Sequence, residues 1–510
     1  MSGKKSSLLL VFLGALVVKC VLGYVVPLTT DEAYYRMFGK VVAAGYYDHP
    51  PMIGWVMSLA LMLGDGPLAV RLPAILMSSA VGAMIYLLLR GRDEERACLV
   101  TIFYLLSPLN VLFVIVTTDT PLFFFSFLSA FLFYRALTRG TLQDYLLSGL
   151  ALGGAFLSKY IAVLLGFGYL AYWCLARKDR PSLPGMLMMG VGLLPAVAQN
   201  LWWNHAHDWN NLVFNLFNRN GDAHFGAKTI GTHLLIQVYL MTPPVVSVFL
   251  RQGGRWARRV REDRLALFGV LYLSAMAVFL GVSTAQSVGL HWALAFYPFL
   301  FVLLFLLPEK EELSRMSKRV ALFTALHLVI LAVALAIPLQ AWEKAPFYQD
   351  MVFLLRTDEL GKRLAPLERD YRLASTSYGV ANILGSHMKC YVFVFGPGSI
   401  HGRQDDLWMD FRAINHGNVL VVCKGPQKRE DYLPYFDSVA LADVSVEGAM
   451  FHLVMGRGFR YDRYRDVVLR QVLDRYYAVP GWLPRGRADF ANRYFGSDSP
   501  PISLTLPVGG

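Results

Sequence analysis

Apolar runs of roughly 17–22 residues follow one another through the first two thirds of the chain. Each is long enough to cross ~30 Å of hydrocarbon as a helix. In lipid, every backbone N–H and C=O of such a run must be bonded within the segment itself. This feature excludes a soluble globular fold for the region. Composition agrees: 55% of the 510 residues are hydrophobic and 16% are charged, where soluble domains carry roughly 25% charged residues. The runs predict spans near 7–28, 67–89, 97–116, 120–137, 144–158, 160–176, 185–203, 230–250, 265–282, 291–307 and 320–338, about eleven in all. Residues 52–64 are apolar but short, which suits a juxtamembrane helix lying along the interface. The first run follows MSGKKSS and lacks a small-residue cleavage site, so it reads as an uncleaved span.

The net charge of +12 is unevenly placed: residues 1–338 carry +10 and residues 339–510 carry +2. Nucleic-acid binding needs a basic, solvated face, and here the excess lies in the membrane part, where it sets orientation. With the N-terminus in the cytoplasm, the loops on its side hold 20 Lys and Arg. The opposite loops hold 6: Arg36, Lys40, Arg71, Lys159, Arg219 and Lys228. By the positive-inside rule, Asp31, Asp119, the 204–228 loop, His291 and the C-terminal segment then share the outer side. A channel would carry ionisable residues inside several spans. These spans are nearly clean, with Lys19 the exception, read either as a snorkelling anchor or as an anion contact.

From about residue 339 the pattern shortens to strand length in KCYVFVFG, NVLVVCKG and FHLVMG, with helix-like stretches such as SYGVANILGSH between them. This alternation predicts a small α/β domain over 339–475, followed by an extended tail over 476–510. Five cysteines are too few and too scattered for a disulfide framework. Cys390 and Cys423 pair only if their strands are neighbours. No internal repeat is visible, which weakens a transporter built from inverted halves.

The segment 29–51, TTDEAYYRMFGKVVAAGYYDHPP, interrupts the apolar texture. Asp31 and Glu32 stand where the first span ends, and a carboxylate at a membrane boundary is costly unless it is solvated, paired or used. Solvating the loop is the plain reading of such a dipeptide. Further on, TTDTP holds Asp119, FLSKY ends a span on Lys159, and the 204–228 loop holds Arg219. That loop also carries His205, His207, Asp208, Asp222 and His224, but alternate histidines on a loop do not set a ligand geometry. Gly-rich phosphate loops and nucleophile elbows are absent, and no nucleotide-binding pattern precedes the first span, so a nucleotide-sugar donor is not expected.

In order, TTDEAYY, GYYDHPP, TTDTPLF, GGAFLSKY, WWN…DW and a late HW resemble bacterial polyprenyl-phosphate-sugar transferases of the protein O-mannosyltransferase superfamily. The lipid A aminoarabinose transferases share that membrane-embedded class, GT-C. The resemblance covers roughly 1–300, and SYGVANIL and HGRQDDLWMDF look like the periplasmic domain of the bacterial branch. It implies an α-helical polytopic GT-C membrane protein of the inner membrane, with its active site and a small α/β domain in the periplasm. Such enzymes move a sugar, with inversion, from a polyprenyl-phosphate donor to an acceptor hydroxyl on lipid A, an envelope glycan or a protein.

The chemistry asks for a carboxylate to take the hydroxyl proton, cations to hold the departing phosphate and a groove for the lipid chain. The resemblance assigns Asp31 as catalytic base and Asp119 as the second acidic position, which organises the first loop. Glu32 orients Asp31, binds the acceptor or solvates the turn. His49, Lys159 and Arg219 are the candidates for donor phosphate. Lys159 reads equally as a snorkelling anchor and Arg219 as an ordinary solvated residue. His49 stands where the aminoarabinose transferases have a lysine, which leaves its charge at neutral pH open. Tyr34, Tyr35, Tyr47 and His291 are candidates for substrate contact, although membrane boundaries collect aromatic residues anyway. Asp48 suits a cap for the Pro-Pro helix start. No metal ligands are assigned; a divalent metal stays open as a cofactor because some relatives use one. The competing reading is a polyprenyl-phosphate carrier or flippase without glycosyl transfer, which would place functional residues on both faces.

Overall fold

A computed structural model describes residues 3–176, 179–218, 226–307, 309–484 and 486–496. Six of its helices are long and apolar enough to cross a membrane: Lys4–Val25, Pro67–Leu89, Asp119–Arg139, Leu183–Ala206, Ala266–Ser283 and Lys310–Ala336. A seventh is counted if Ala227–Met241 and Pro243–Arg261, bent by 96° at their junction, form one span. The bend falls on Thr242 before Pro243-Pro244, with Thr242 at φ 70 and ψ 145. A residue before proline is pushed out of the helical region, and proline then starts the next helix easily because it has no N–H to leave unbonded.

The other expected spans are present as shorter pieces. Residues 97–116 break at Ser107-Pro108, where Glu94–Leu106 ends and Pro108–Val111 begins, again with the residue before proline extended. Leu142–Ser158 has 17 residues, and Tyr160–Leu175 and Leu290–Leu306 are short apolar segments. The expected juxtamembrane segment is the helix Met52–Leu61.

The chain divides into two compact units that do not follow its order. One comprises Met1–Val26, Pro50–Asn200 and Asp222–Ala334; the other comprises Pro27–His49, Leu201–Gly221 and Leu335–Gly510.

In the first unit, Leu142–Ser158 and the helix Leu183–Ala206 meet backbone to backbone. A Cβ on Gly149 would lie 1.9 Å from the Met189 carbonyl oxygen, and one on Gly192 would lie 2.3 Å from that of Leu146. Only small residues permit such an approach between membrane helices. Lys19, fully buried, neither snorkels nor meets a carboxylate. Its ammonium donates to Ser78 Oγ (2.6 Å), Ser79 Oγ (3.0 Å), Asn110 Oδ1 (3.0 Å) and the Ile75 carbonyl (3.2 Å). It thereby ties the first span to Pro67–Leu89 and to the break after Ser107. Arg71, also buried, donates to the carbonyls of Gly23 (3.1 Å) and Val26 (2.6 Å), which a helix end leaves unbonded. At the other end of this unit, Lys5–Glu94, Lys310–Glu95, Arg92–Asp263 and Arg264–Asp179 join the loops that carry most of the basic residues.

The second unit is built on a five-stranded sheet. Its strands are β1 (Arg372–Ser375), β2 (Phe393–Val394), β3 (Val419–Cys423), β4 (Phe436–Val446) and β5 (Ala449–Phe459), in the order β2-β1-β3-β5-β4. β1 is parallel to β2 and β3, while β3–β5 and β4–β5 are antiparallel. The β4–β5 hairpin turns through Glu447 (φ 48) and Gly448 (φ 79), the positive-φ pair that a two-residue turn requires. β3 is buried along its whole length, and its side chains alternate faces. Val419, Val421 and Cys423 enter one core, and Leu420 and Val422 the other. Tyr47 belongs to the first of these cores and Ala33 to the second, so residues from 27–49 are structural members of this unit.

β1 separates β2 from β3, so Cys390 and Cys423 are not on neighbouring strands, and both are free thiols. Within 476–510, expected to be extended, Asp489–Phe495 is a helix whose Phe490 and Tyr494 are buried in the β3 core.

Candidate active site

Thr29 and Glu32 form a capping box at the start of the helix Thr30–Lys40. The Thr29 backbone N–H and hydroxyl donate to Glu32 Oε2 at 3.0 and 3.1 Å, and the Glu32 N–H donates to Thr29 Oγ1 at 3.3 Å. Glu32 is fully buried and holds the turn. Asp31 sits in the first helical turn, where the unbonded N–H groups favour negative charge. The T-x-x-E spacing that makes the box is plain in the sequence.

The rest of 27–49 is fastened to the segment 401–406, HGRQDD, which runs into the short helix Gln404–Trp408. Tyr34 donates its hydroxyl to Asp48 (3.1 and 3.2 Å to the two oxygens), the Gly402 N–H donates to Asp48 Oδ2 (3.3 Å), and the Gln404 N–H donates to the Tyr34 hydroxyl (3.3 Å). The Tyr47 N–H donates to Gln404 Oε1 (2.7 Å) and its hydroxyl to the Tyr476 carbonyl (2.8 Å). Gly402 has φ 77, and a Cβ there would stand 2.3 Å from the Tyr378 ring. Asp48 therefore does not cap the Pro-Pro helix start. That helix has Pro51 as its N-cap and no side-chain cap, because the Asp48 carboxylate is turned to Tyr34 and Gly402. Burial pushes the Asp48 carboxyl up to about 6, against the bonds from Tyr34 and Gly402, which pull it down.

Tyr378, at the start of the helix Tyr378–Met388, places its hydroxyl 3.5 Å from Asp31 Oδ1 and its ring edge-on to Tyr34. Burial, and then the Asp31 and Asp48 charges, push the Tyr378 phenol up, so it remains a neutral donor. Tyr35 is paired with His49, hydroxyl to Nε2 at 3.2 Å. Arg36 reaches the hydroxyl and carbonyl of Ser386. Tyr34, Tyr35 and Tyr47 are all buried, at 2%, 5% and 0% exposure, and Tyr34 and Tyr47 brace the segment through the bonds above.

Asp119 and Lys159 lie in the first unit, bonded to each other at 2.8 and 2.9 Å. Asp119 opens the helix Asp119–Arg139 and Lys159 closes Leu142–Ser158. Each charge has the sign its helix end favours. His291, exposed, belongs to the short helix Leu290–Ala293 of the same unit. Arg219, Asp222 and His224 lie outside the described residues. His207 stacks on Trp203 and shares a 2.9 Å hydrogen bond with its carbonyl, His205 is edge-on to Trp209, and Asp208 accepts from the Ala488 N–H. Among the described residues no group of three His, Cys, Asp or Glu is placed to hold a metal ion. Sequence reasoning did not single out Tyr378, Gly402 or Gln404, although the dense HGRQDD cluster marked their neighbourhood.

Residues 48–203 match the family model for dolichyl-phosphate-mannose-protein mannosyltransferase. The chain is 24% identical over 283 residues to the lipid A galacturonosyltransferase RgtD of Rhizobium johnstonii, covering 52% of this chain and 58% of that protein. It is 27% identical over 319 residues to the lipopolysaccharide core galacturonosyltransferase RgtA of the same organism, covering 56% of this chain and 61% of the relative. The matches thus span about three fifths of these relatives' own lengths. In fold, the chain is similar to ArnT from Cupriavidus metallidurans. The TM-score is 0.62 to the apo structure at 14% identity, over 89% of this chain and 98% of that one. It is 0.61 to the undecaprenyl-phosphate-bound structure, also at 14% identity, over 88% and 98%. The chain has the membrane-embedded GT-C fold, and its sequence is similar to that of polyprenyl-phosphate-sugar glycosyltransferases.

Proposed function

We propose that this protein is an inner-membrane glycosyltransferase. It moves a sugar from a polyprenyl-phosphate donor to an acceptor hydroxyl of lipid A or the lipopolysaccharide core on the periplasmic face. The similarity to RgtD and RgtA supports the acceptor class, and the fold shared with an undecaprenyl-phosphate-binding protein supports the donor class.

The observation that carries the reading is the held acidic turn. Asp31 lies on a helix start secured by the Thr29–Glu32 box and flanked by Tyr378. In this reading Asp31 takes the proton of the acceptor hydroxyl as the oxygen attacks the anomeric carbon. The phosphate leaves from the opposite side, which inverts the centre. The Tyr378 hydroxyl steadies the carboxylate, and such hydrogen bonds tighten when substrate closes the site. Lys159, aligned by Asp119, is assigned to the departing phosphate together with Arg219 and His49. Glu32, Tyr34 and Tyr47 hold the loop in shape. Tyr35 and His291 are the remaining candidates for contact with substrate.

The test is turnover in membranes supplied with donor lipid and lipid A, followed by mass spectrometry of the acceptor. Asp31→Asn is expected to lower turnover by about 10²–10⁴-fold. Turnover at the wild-type level would remove Asp31 from the mechanism.

A further inference from the structure

The helix Pro243–Arg261 changes character along its length. Its first half is apolar, and its second half carries Arg251, Arg255, Arg258 and Arg259. At 100° per residue these four arginines fall within one face, at positions i, i+4, i+7 and i+8. All four are exposed, and Trp256, on the opposite side, is buried with its indole N–H donating to the Leu303 carbonyl at 2.8 Å. Over its second half the helix is therefore docked through Trp256, with the arginine stripe outward. It turns 96° away from Ala227–Met241, with which it is apolar enough to make one bent span, and the spanning helix Ala266–Ser283 follows it directly. Exposed Phe249 and Leu250 precede the stripe and face the other side of the helix.

Charge pairing separates this helix from its neighbours. Lys5, Arg92, Arg264 and Lys310 all have carboxylate partners, and Arg251 pairs with Glu312 at 2.8 Å. Among the described residues, Arg255, Arg258 and Arg259 form no ion pair. A row of exposed arginines on a helix whose other side is apolar is matched by a layer of anionic headgroups above acyl chains.

We propose that Arg255, Arg258 and Arg259 form a docking surface for anionic phospholipid headgroups of the leaflet on the side where the chain begins. This contact is separate from the transferase site, and its test does not depend on activity. The full-length protein in detergent is titrated with dioleoylphosphatidylglycerol or dioleoylphosphatidylcholine. Retained lipid is read by native mass spectrometry and the melting temperature is followed. Phosphatidylglycerol is expected to be retained preferentially and to raise the melting temperature, and 0.5 M salt should weaken both effects, as in any screened headgroup contact. The combined variant Arg255→Gln, Arg258→Gln, Arg259→Gln is expected to lose on the order of fivefold in affinity per arginine. The corresponding triple lysine variant should keep the preference. Equal retention of the two lipids by the wild-type protein, or an undiminished preference in the glutamine variant, overturns the proposal. Should the glutamine variant not fold, a salt-insensitive preference in the wild-type and lysine proteins overturns it equally.

Discussion

Lys159 and Asp119 show how one pair of side chains can serve stability and chemistry together. The two are largely buried, at 13% and 4% side-chain exposure, and close the hairpin of Asp119–Arg139 and Leu142–Ser158. Removing one partner leaves a lone charge, at a cost of about 3–5 kcal/mol, whereas replacing both is far milder. Lys159→Met alone should therefore lower the melting temperature, and Lys159→Met with Asp119→Asn should restore it. If Lys159 holds donor phosphate, as proposed, the double variant stays poorly active with a raised donor KM. Recovery of activity with stability would make the pair purely structural. Lys19 offers a contrast, since it has neutral acceptors only. Lys19→Ala deprives Ser78, Ser79 and Asn110 of their donor and should cost about 2–4 kcal/mol in detergent melts without changing donor KM. The sequence located Lys19 in a span. Whether it faced the interface or the interior was illegible, because that depends on which polar groups of two later segments come to meet it.

At the scale of elements, the capping box and the HGRQDD segment hold the candidate site's first loop from its two ends. Thr29→Ala removes the cap and should cost about 1 kcal/mol of stability, while lowering kcat more than that loss explains if the held turn aligns Asp31. Assays of kcat beside melting curves separate the two effects. Asp405, beside Gln404 in the first turn of the helix Gln404–Trp408, accepts from Tyr391 and from the Val394 N–H, and burial pushes its carboxyl up to about 7. Its folded value lies above the unfolded 3.8, so the folded state favours the protonated form. The stability this gives is fully present below about pH 4 and is lost as pH rises through about 7, by roughly 2–4 kcal/mol. Asp405→Asn should flatten the dependence of melting temperature on pH between 5 and 8. An unchanged slope would place the titration elsewhere. β2, β3 and β5 were legible as short apolar runs, whereas β1 is only four residues long and β4 is largely exposed, so neither stood out as one. The strand order was not legible, since β1 comes to lie between β2 and β3 through contacts far apart in sequence.

For the whole molecule, the notable fact is that the chain's units are interleaved. Residues 27–49 share cores with a sheet that begins more than three hundred residues later. Ending the chain near residue 338 should therefore leave a membrane-inserted product whose first loop has lost Gln404, Gly402 and Tyr378. Limited proteolysis is expected to cut the truncated protein within 40–49 while the full-length protein resists there. Equal resistance would show that the loop holds its shape without the C-terminal segment.

The sequence by itself determined the class of protein: runs of spanning length admit only helices in lipid, and the ordered acidic, aromatic and basic motifs carried the family resemblance. It placed Asp31 and Glu32 where the first span ends, in what reads as a loop; the helix start at Thr29–Glu32 came only from the structure, although the T-x-x-E pattern that makes its capping box is local. The tertiary structure alone decided what surrounds that start. Tyr378, Gly402 and Gln404 reach the first loop through single hydrogen bonds and ring contacts over long separations. Such contacts leave no periodicity for a reader of the chain to find, whereas spans and caps follow from the residues adjacent to them.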